Sequence, residues 1–239
     1  MGKASAISKE TRESYKAAVD LVERAIVAED KDKAKLLFAQ ALSLAISCVH
    51  NEESSAEFNY LAGYIHYKTP TKTEATWRQA ETFFKQALAL SPSHQFARYY
   101  LGCLYFDRKR YVESHSELNL LHEYVFTGID QKWRVAKANE LLLCCELYLN
   151  RNSTPLNQFD RLFEKYSAIE DPSLAPVPCE LSECLQFLLK ERGPDDSGLA
   201  SICRVYLKIV GYLGLVEFVK EKWPLLHAFV VGKDYGIIH

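Results

Sequence analysis

A dominant charge is the first thing this chain of 239 residues lacks: 29 lysines and arginines stand against 31 aspartates and glutamates, for a formal net charge of -2. The signs are interspersed, so there is no electrostatic footprint for nucleic acid or an anionic membrane, and both are set aside as primary partners. Long apolar runs are missing too. Residues 205–219 are the most apolar stretch, yet Lys208 and Glu217 interrupt them, and they fall short of the roughly 20 apolar residues of a spanning helix. No transmembrane segment is expected. Nothing near Met1 resembles an apolar signal core, and Ala6 stands where a myristoylation signal wants Ser or Thr. The seven cysteines are odd in number and include the neighbours Cys144 and Cys145, which suits a reduced, cytoplasmic protein better than a disulfide scaffold.

Catalytic and cofactor fingerprints are also missing. No Gly-x-Ser-x-Gly, P-loop or dinucleotide motif occurs. The paired carboxylates Glu52-Glu53 and Asp195-Asp196 fall in expected loops, where solvation keeps them ordinary. Cys179 and Cys184 are not in a C-x-x-C arrangement, and His115 and His122 have no further ligand at usable spacing, so zinc is unsupported. Asn152-Ser153-Thr154 is a formal glycosylation sequon that reads as a polar turn in a cytosolic chain. The expectation is a non-enzyme with no cofactor and no metal.

What the chain does have is helical periodicity throughout. Hydrophobic residues make up 48% and charged residues 25%, an ordinary globular balance. A first helix from about Lys9 carries Ala18, Leu21, Val22 and Ala25 on one face. The next carries Ala34, Phe38 and Ala41, and Leu21 to Phe38 is 17 residues, as is Leu101 to Leu118. A second hairpin opens at Ser54, with Glu57 placed to complete a capping box, and shows Phe58, Leu61, Ala62 and Ile65. Thr69-Pro70 forces an extended turn, Thr71 with Glu74 signals another cap, and Ala80, Phe84 and Ala87 follow. These three reappear 34 residues later as Ser114, Leu118 and Leu121.

The 34-residue step, the Leu101-Gly102-x-x-Tyr105 face, the Ala80/Phe84/Ala87 triplet and Pro92 together resemble the tetratricopeptide repeat family, whose period is 34. The match is clear over residues 56–121 and fair over 18–41. It lacks the family's early tryptophan, where Phe58 and Arg98 stand. The resemblance implies an all-α, right-handed superhelix of antiparallel helical hairpins in one helical-repeat domain. Hairpins are expected over 9–48, 54–91 and 93–127, with a degenerate one over 130–170 in which Thr154 caps a helix opened by Pro155. Three prolines in 171–178 mark a linker. Residues 178–232, with a turn at Gly193-Pro194, then supply helices that cap the last repeat.

The same resemblance implies a concave groove lined by the first helix of each hairpin. Carried over residue by residue, the groove positions are Asp20 and Glu23; Asn59, Tyr60, His66 and Tyr67; Phe96, Tyr99, Tyr100 and Phe106; and Asn139. Rings dominate the centre and suit recognition of a helix or extended peptide. Phe96 and Phe106 are the rings most open to the alternative of packing beneath other helices, and the tyrosines and Asn59 the least. Val19 and Glu23 stand where relatives that capture an acidic chaperone tail carry Lys and Asn, and Phe96 and Tyr100 where they carry basic residues, so such a tail is not expected. Asp20 and Glu23 instead favour an apolar segment with basic flanks. The expected role is a protein-interaction adaptor. The alternative is a membrane-peripheral trafficking or assembly factor using the C-terminal stripe from Leu199 onward, with Trp223 and Phe229, as an interfacial anchor.

Overall fold

The computed structural model describes residues 7–150, 155–193 and 195–235, the last four as backbone only. These form an all-α structure of thirteen α-helices and one short 3-10 turn, with no strand among the described residues. The chain divides into two compact units, Met1–Leu104 and Tyr105–His239.

In the first unit α1 (Lys9–Ile26) and α2 (Lys31–Asn51) form an antiparallel hairpin. Ser8 caps α1 by accepting from the Thr11 amide at 3.0 Å, and Asp30 caps α2 by accepting from the amides of Asp32 and Lys33. Ala18 and Ala25 face Ala41 and Ala45, small residues that let the backbones close in, with Val22 and Phe38 filling the seam as expected. A second hairpin pairs α3 (Ala56–Lys68) with α4 (Glu74–Leu90) and buries Ala80, Phe84 and Ala87 completely. Both caps sit further along than the sequence suggested. The N-cap of α3 is Ser55, whose hydroxyl accepts from the Phe58 amide at 3.3 Å, while Ser54 bonds Glu52 instead. At α4 it is Thr73 and Thr76 that satisfy each other's amides, at 3.1 and 2.9 Å. Only residues 69–73 separate α3 from α4. The unit boundary falls within α5 (Gln95–Asp107).

The second unit departs further from the repeat. Ser114 and Leu118 are buried on α6 (Tyr111–Leu118) as their register predicts, but the helix does not reach Leu121. The amides of Leu120 and Leu121 turn back onto the carbonyls of Glu117 and Leu118, and short α7 (Glu123–Thr127) comes next. Long α8 (Lys132–Leu149) is buried on several faces and packs on α6, α7, α9 (Leu156–Ser167) and α10 (Cys179–Arg192). Pro155 is the N-cap of α9 rather than its first residue. Thr154, the sequon and Pro194 lie outside the described residues.

The proline-rich stretch holds the 3-10 turn Pro172–Leu174, yet the helices after it stay packed in the second unit. α10 packs on α8, α11 (Ser197–Tyr212) on α9, and α13 (Pro224–Tyr235) on α10 and α11, with α12 (Val216–Lys222) beside α13. The α11 residues Leu199, Ile202, Cys203, Tyr206, Ile209 and Val210 are spent in this core, as is Trp223. No single described helix is long and apolar enough to cross a membrane. A buried polar knot joins three helices. Glu140 of α8 is fully buried and accepts from Lys137 Nζ at 2.9 Å, Tyr166 OH of α9 at 3.0 Å and the Leu181 amide of α10 at 3.0 Å, while Lys137 also pairs with Glu180.

Candidate functional site

Aromatic residues concentrate on α3 and α5 of the first unit because α3 places rings at i, i+4 and i+7 and α5 at i, i+3 and i+4. Tyr60, Tyr64 and Tyr67 succeed one another along α3, and Phe96, Tyr99 and Tyr100 along α5. Tyr100 is the hub. Its ring lies 4.7 Å from Tyr64, 5.0 Å from Tyr99, 5.7 Å from Tyr67 and 6.3 Å from both Tyr60 and Phe84. Tyr60 also meets His94 at 4.9 Å and Phe96 at 6.1 Å. Such tilted and edge contacts match ring quadrupoles and add to the burial itself.

Burial divides these residues in a way their types did not foretell. Tyr99 and Tyr100 are 3% and 4% exposed, so they form the base of the cluster. Tyr60, Tyr64, Tyr67 and Phe96 are half-buried and form its outer layer. Asn59, expected with the tyrosines to be least open to packing, is 2% exposed, and its amide donates to the Ser55 carbonyl at 2.9 Å in support of the α3 N-terminus. Phe96 is the more accessible ring instead. Side chains at successive helical positions point about 100° apart, so ring type alone does not separate base from surface.

The remaining positions disperse. His66 stacks on Phe83 at 5.8 Å, and burial lowers its imidazole pKa, which favours the neutral form. Asp20 and Glu23 are exposed on α1, and Asp20 pairs with Arg24 at 3.3 Å. Two lysines stand beside the rings: Lys68 Nζ lies 5.6 to 5.9 Å from the rings of Tyr64, Tyr67 and Tyr100, and Lys72 Nζ 4.8 Å from Tyr67. Phe106 and Asn139 belong to the second unit. Phe106 is nearly buried, 5.5 Å from Tyr111, and Asn139 lines a cleft beside α8. Sequence reading passed over Tyr64, although it stands one helical turn from Tyr60, and Lys68 and His94.

His94 belongs to a hydrogen-bonded joint. Its Nδ1 accepts from the Ala97 amide at 3.1 Å, which leaves Nε2 to meet Glu57 at 3.2 Å, and Glu57 also accepts from Tyr15 OH at 2.7 Å. Glu57 thus ties α1, α3 and the start of α5. The hydrogen bond from His94 foremost, with that from Tyr15, holds its carboxyl below the usual range against the opposing effect of burial.

No family model matches the chain, and no curated protein matches it. A solved structure titled as the functional characterization of Pseudomonas aeruginosa pilF, a tetratricopeptide-containing protein, matches over 94% of this chain and 100% of that one. The TM-score is 0.50 at 15% identity. What the two share is the fold. Hairpins of antiparallel helices with small residues at the close approaches, seen in the first unit, are tetratricopeptide-like in the same sense.

All seven cysteines are free thiols. Burial pushes Cys145 up to about 11 and Cys203 up to about 12, and Cys144 rises well above its usual value through burial and its contact with Cys184. Thiols so perturbed are poor nucleophiles. Among the described residues no group of three or more His, Cys, Asp or Glu side chains is placed to hold a metal ion.

Proposed function

We propose that the protein is a non-catalytic interaction module whose first unit docks an apolar partner segment on the outer layer of the aromatic cluster. The observation that carries this reading is the layering itself. Tyr60, Tyr67 and Phe96 are half-buried over a base of Tyr100, Tyr99 and Phe84, so large rings reach the surface already held in place. Anchors fixed in this way lose little entropy on binding, which is the usual property of an interface hot spot. Asp20 and Glu23 lie on α1, and Lys68 and Lys72 stand beside the rings. The tetratricopeptide-like fold supports a protein as the partner.

The test is capture of partners from native lysate by the intact chain and by two classes of variant. Phe96→Ala and Tyr67→Ala should each lower recovery of a captured partner by roughly tenfold, about the 1–2 kcal/mol of an interface anchor, with circular dichroism unchanged. Tyr100→Ala should lower the melting temperature as well, because it removes the base. Full recovery by both surface variants would move the site elsewhere. The C-terminal stripe gives less support to a membrane-peripheral role, since Leu199, Ile202, Tyr206, Ile209, Val210 and Trp223 are buried in the core and Phe229 is half-buried.

A further inference from the structure

The second unit contains a cleft of about 410 Å3 floored by α8, with Val135, Ala138, Leu142 and Leu143 along its base. The cleft exists where α6 ends at Leu118 and the chain turns aside. From Val135 to Glu146 the floor runs about 16 Å at ~1.5 Å per residue, the length of about four or five extended residues at ~3.3 Å each. The volume falls within the usual range for a binding cavity.

Its rim has been partly used up by internal bonds, and what remains is directional. Both Nδ2 hydrogens of Asn139 are taken, by Glu123 Oε1 at 3.1 Å and the Val135 carbonyl at 2.9 Å, so the side chain has only its Oδ1 acceptor left to offer. Glu123 is also held by Lys165 at 2.6 Å. Glu146 gives Oε1 to His115 Nε2 at 3.3 Å; its charge therefore meets an imidazole rather than a lysine or arginine, and Oε2 has no further partner among the described residues. On the opposite wall α9 supplies the donors Gln158 and Arg161.

We propose that this cleft binds an extended peptide segment of four or five residues that sets a lysine or arginine against Glu146. Asn139 Oδ1 accepts a main-chain N–H, Gln158 and Arg161 donate to main-chain carbonyls, and an apolar side chain rests on Leu142 and Leu143. An extended chain presents donors, acceptors and side chains alternately along the full floor, whereas a small amine would engage only the Glu146 end. The site is independent of the aromatic face, with which it shares no residue.

The experiment is titration of the 15N-labelled full chain with two blocked pentapeptides, Ala-Leu-Lys-Leu-Ala and its counterpart with a central glutamate, and with lysine amide. The lysine pentapeptide should shift the amides of residues 139–146, and Glu146→Gln should weaken it at least fivefold. Leu142→Trp, which fills the cleft, should abolish the shifts. Equal response to both pentapeptides, undiminished binding by either variant, no shift up to millimolar peptide, or shifts confined to other residues would overturn the proposal. So would lysine amide acting at the same concentration as the peptide. If Glu146→Gln lost helicity, the native-chain comparison and Leu142→Trp would decide. Capture of partners through Phe96 is a separate measurement, so either reading can fail alone.

Discussion

Gly63 shows how closely two helices of the first unit approach at a single residue. A Cβ built there would stand 2.8 and 2.9 Å from Phe84 ring carbons and 3.2 Å from Phe83 Cβ. Phe84 is fully buried, so its ring would have to shift within the packed core. Gly63→Ala should therefore cost about 1–3 kcal/mol through overpacking, despite alanine's better helix propensity. Thermal denaturation would read this as a lowered melting temperature, and an unchanged or raised one would mean that Phe84 can repack. At the same scale, the half-buried Phe96 and the buried Tyr100 show how two rings on one helix come to have different duties.

Between elements, polar joints do the holding. Glu57 accepts from Tyr15 of α1 and meets His94 at the start of α5. Its carboxyl is held below the ordinary value of 4.5 in the fold, so its contribution is complete above the pH where the unfolded carboxyl ionises. That contribution disappears as pH falls through the lowered value. Melting of the wild type should thus lose more stability between about pH 5 and pH 3 than melting of Glu57→Gln; parallel curves would rule out this joint. Glu140 plays the corresponding part among α8, α9 and α10. Glu140→Ala would leave the Tyr166 hydroxyl and the Leu181 amide buried without their acceptor and Lys137 with Glu180 alone. A loss of roughly 3–5 kcal/mol by chemical denaturation is expected, the cost of breaking a buried charged network from one side.

Across the whole molecule, two compact units carry two separate surfaces, the aromatic face in the first and the α8 cleft in the second. Because they have no residue in common, their variants should be independent. Phe96→Ala should leave the pentapeptide shifts at residues 139–146 intact, and Glu146→Gln should leave partner capture intact, with any double variant additive. A Glu146→Gln effect on capture, checked in the same pull-down, would show that one partner uses both surfaces.

Sequence alone determined the helical class and most hairpin registers. Period-3.6 patterns and a 34-residue step bury Ala80, Phe84, Ala87, Ser114 and Leu118 regardless of surroundings, because each is read from neighbours a turn or a repeat away. Local chemistry also foretold that helices would begin near Ser54 and Thr71, though each cap lies one or two residues on, where the chain first becomes extended. Only the tertiary structure decided which rings are base and which are surface, that Asn59 supports a helix end, that lysines border the rings, and that α6 stops short to leave a cleft. Those outcomes depend on which side of a helix its neighbours cover. Contacts distant in sequence settle that, as between Tyr15 and Glu57 or Glu140 and Leu181, and no spacing within one helix records them.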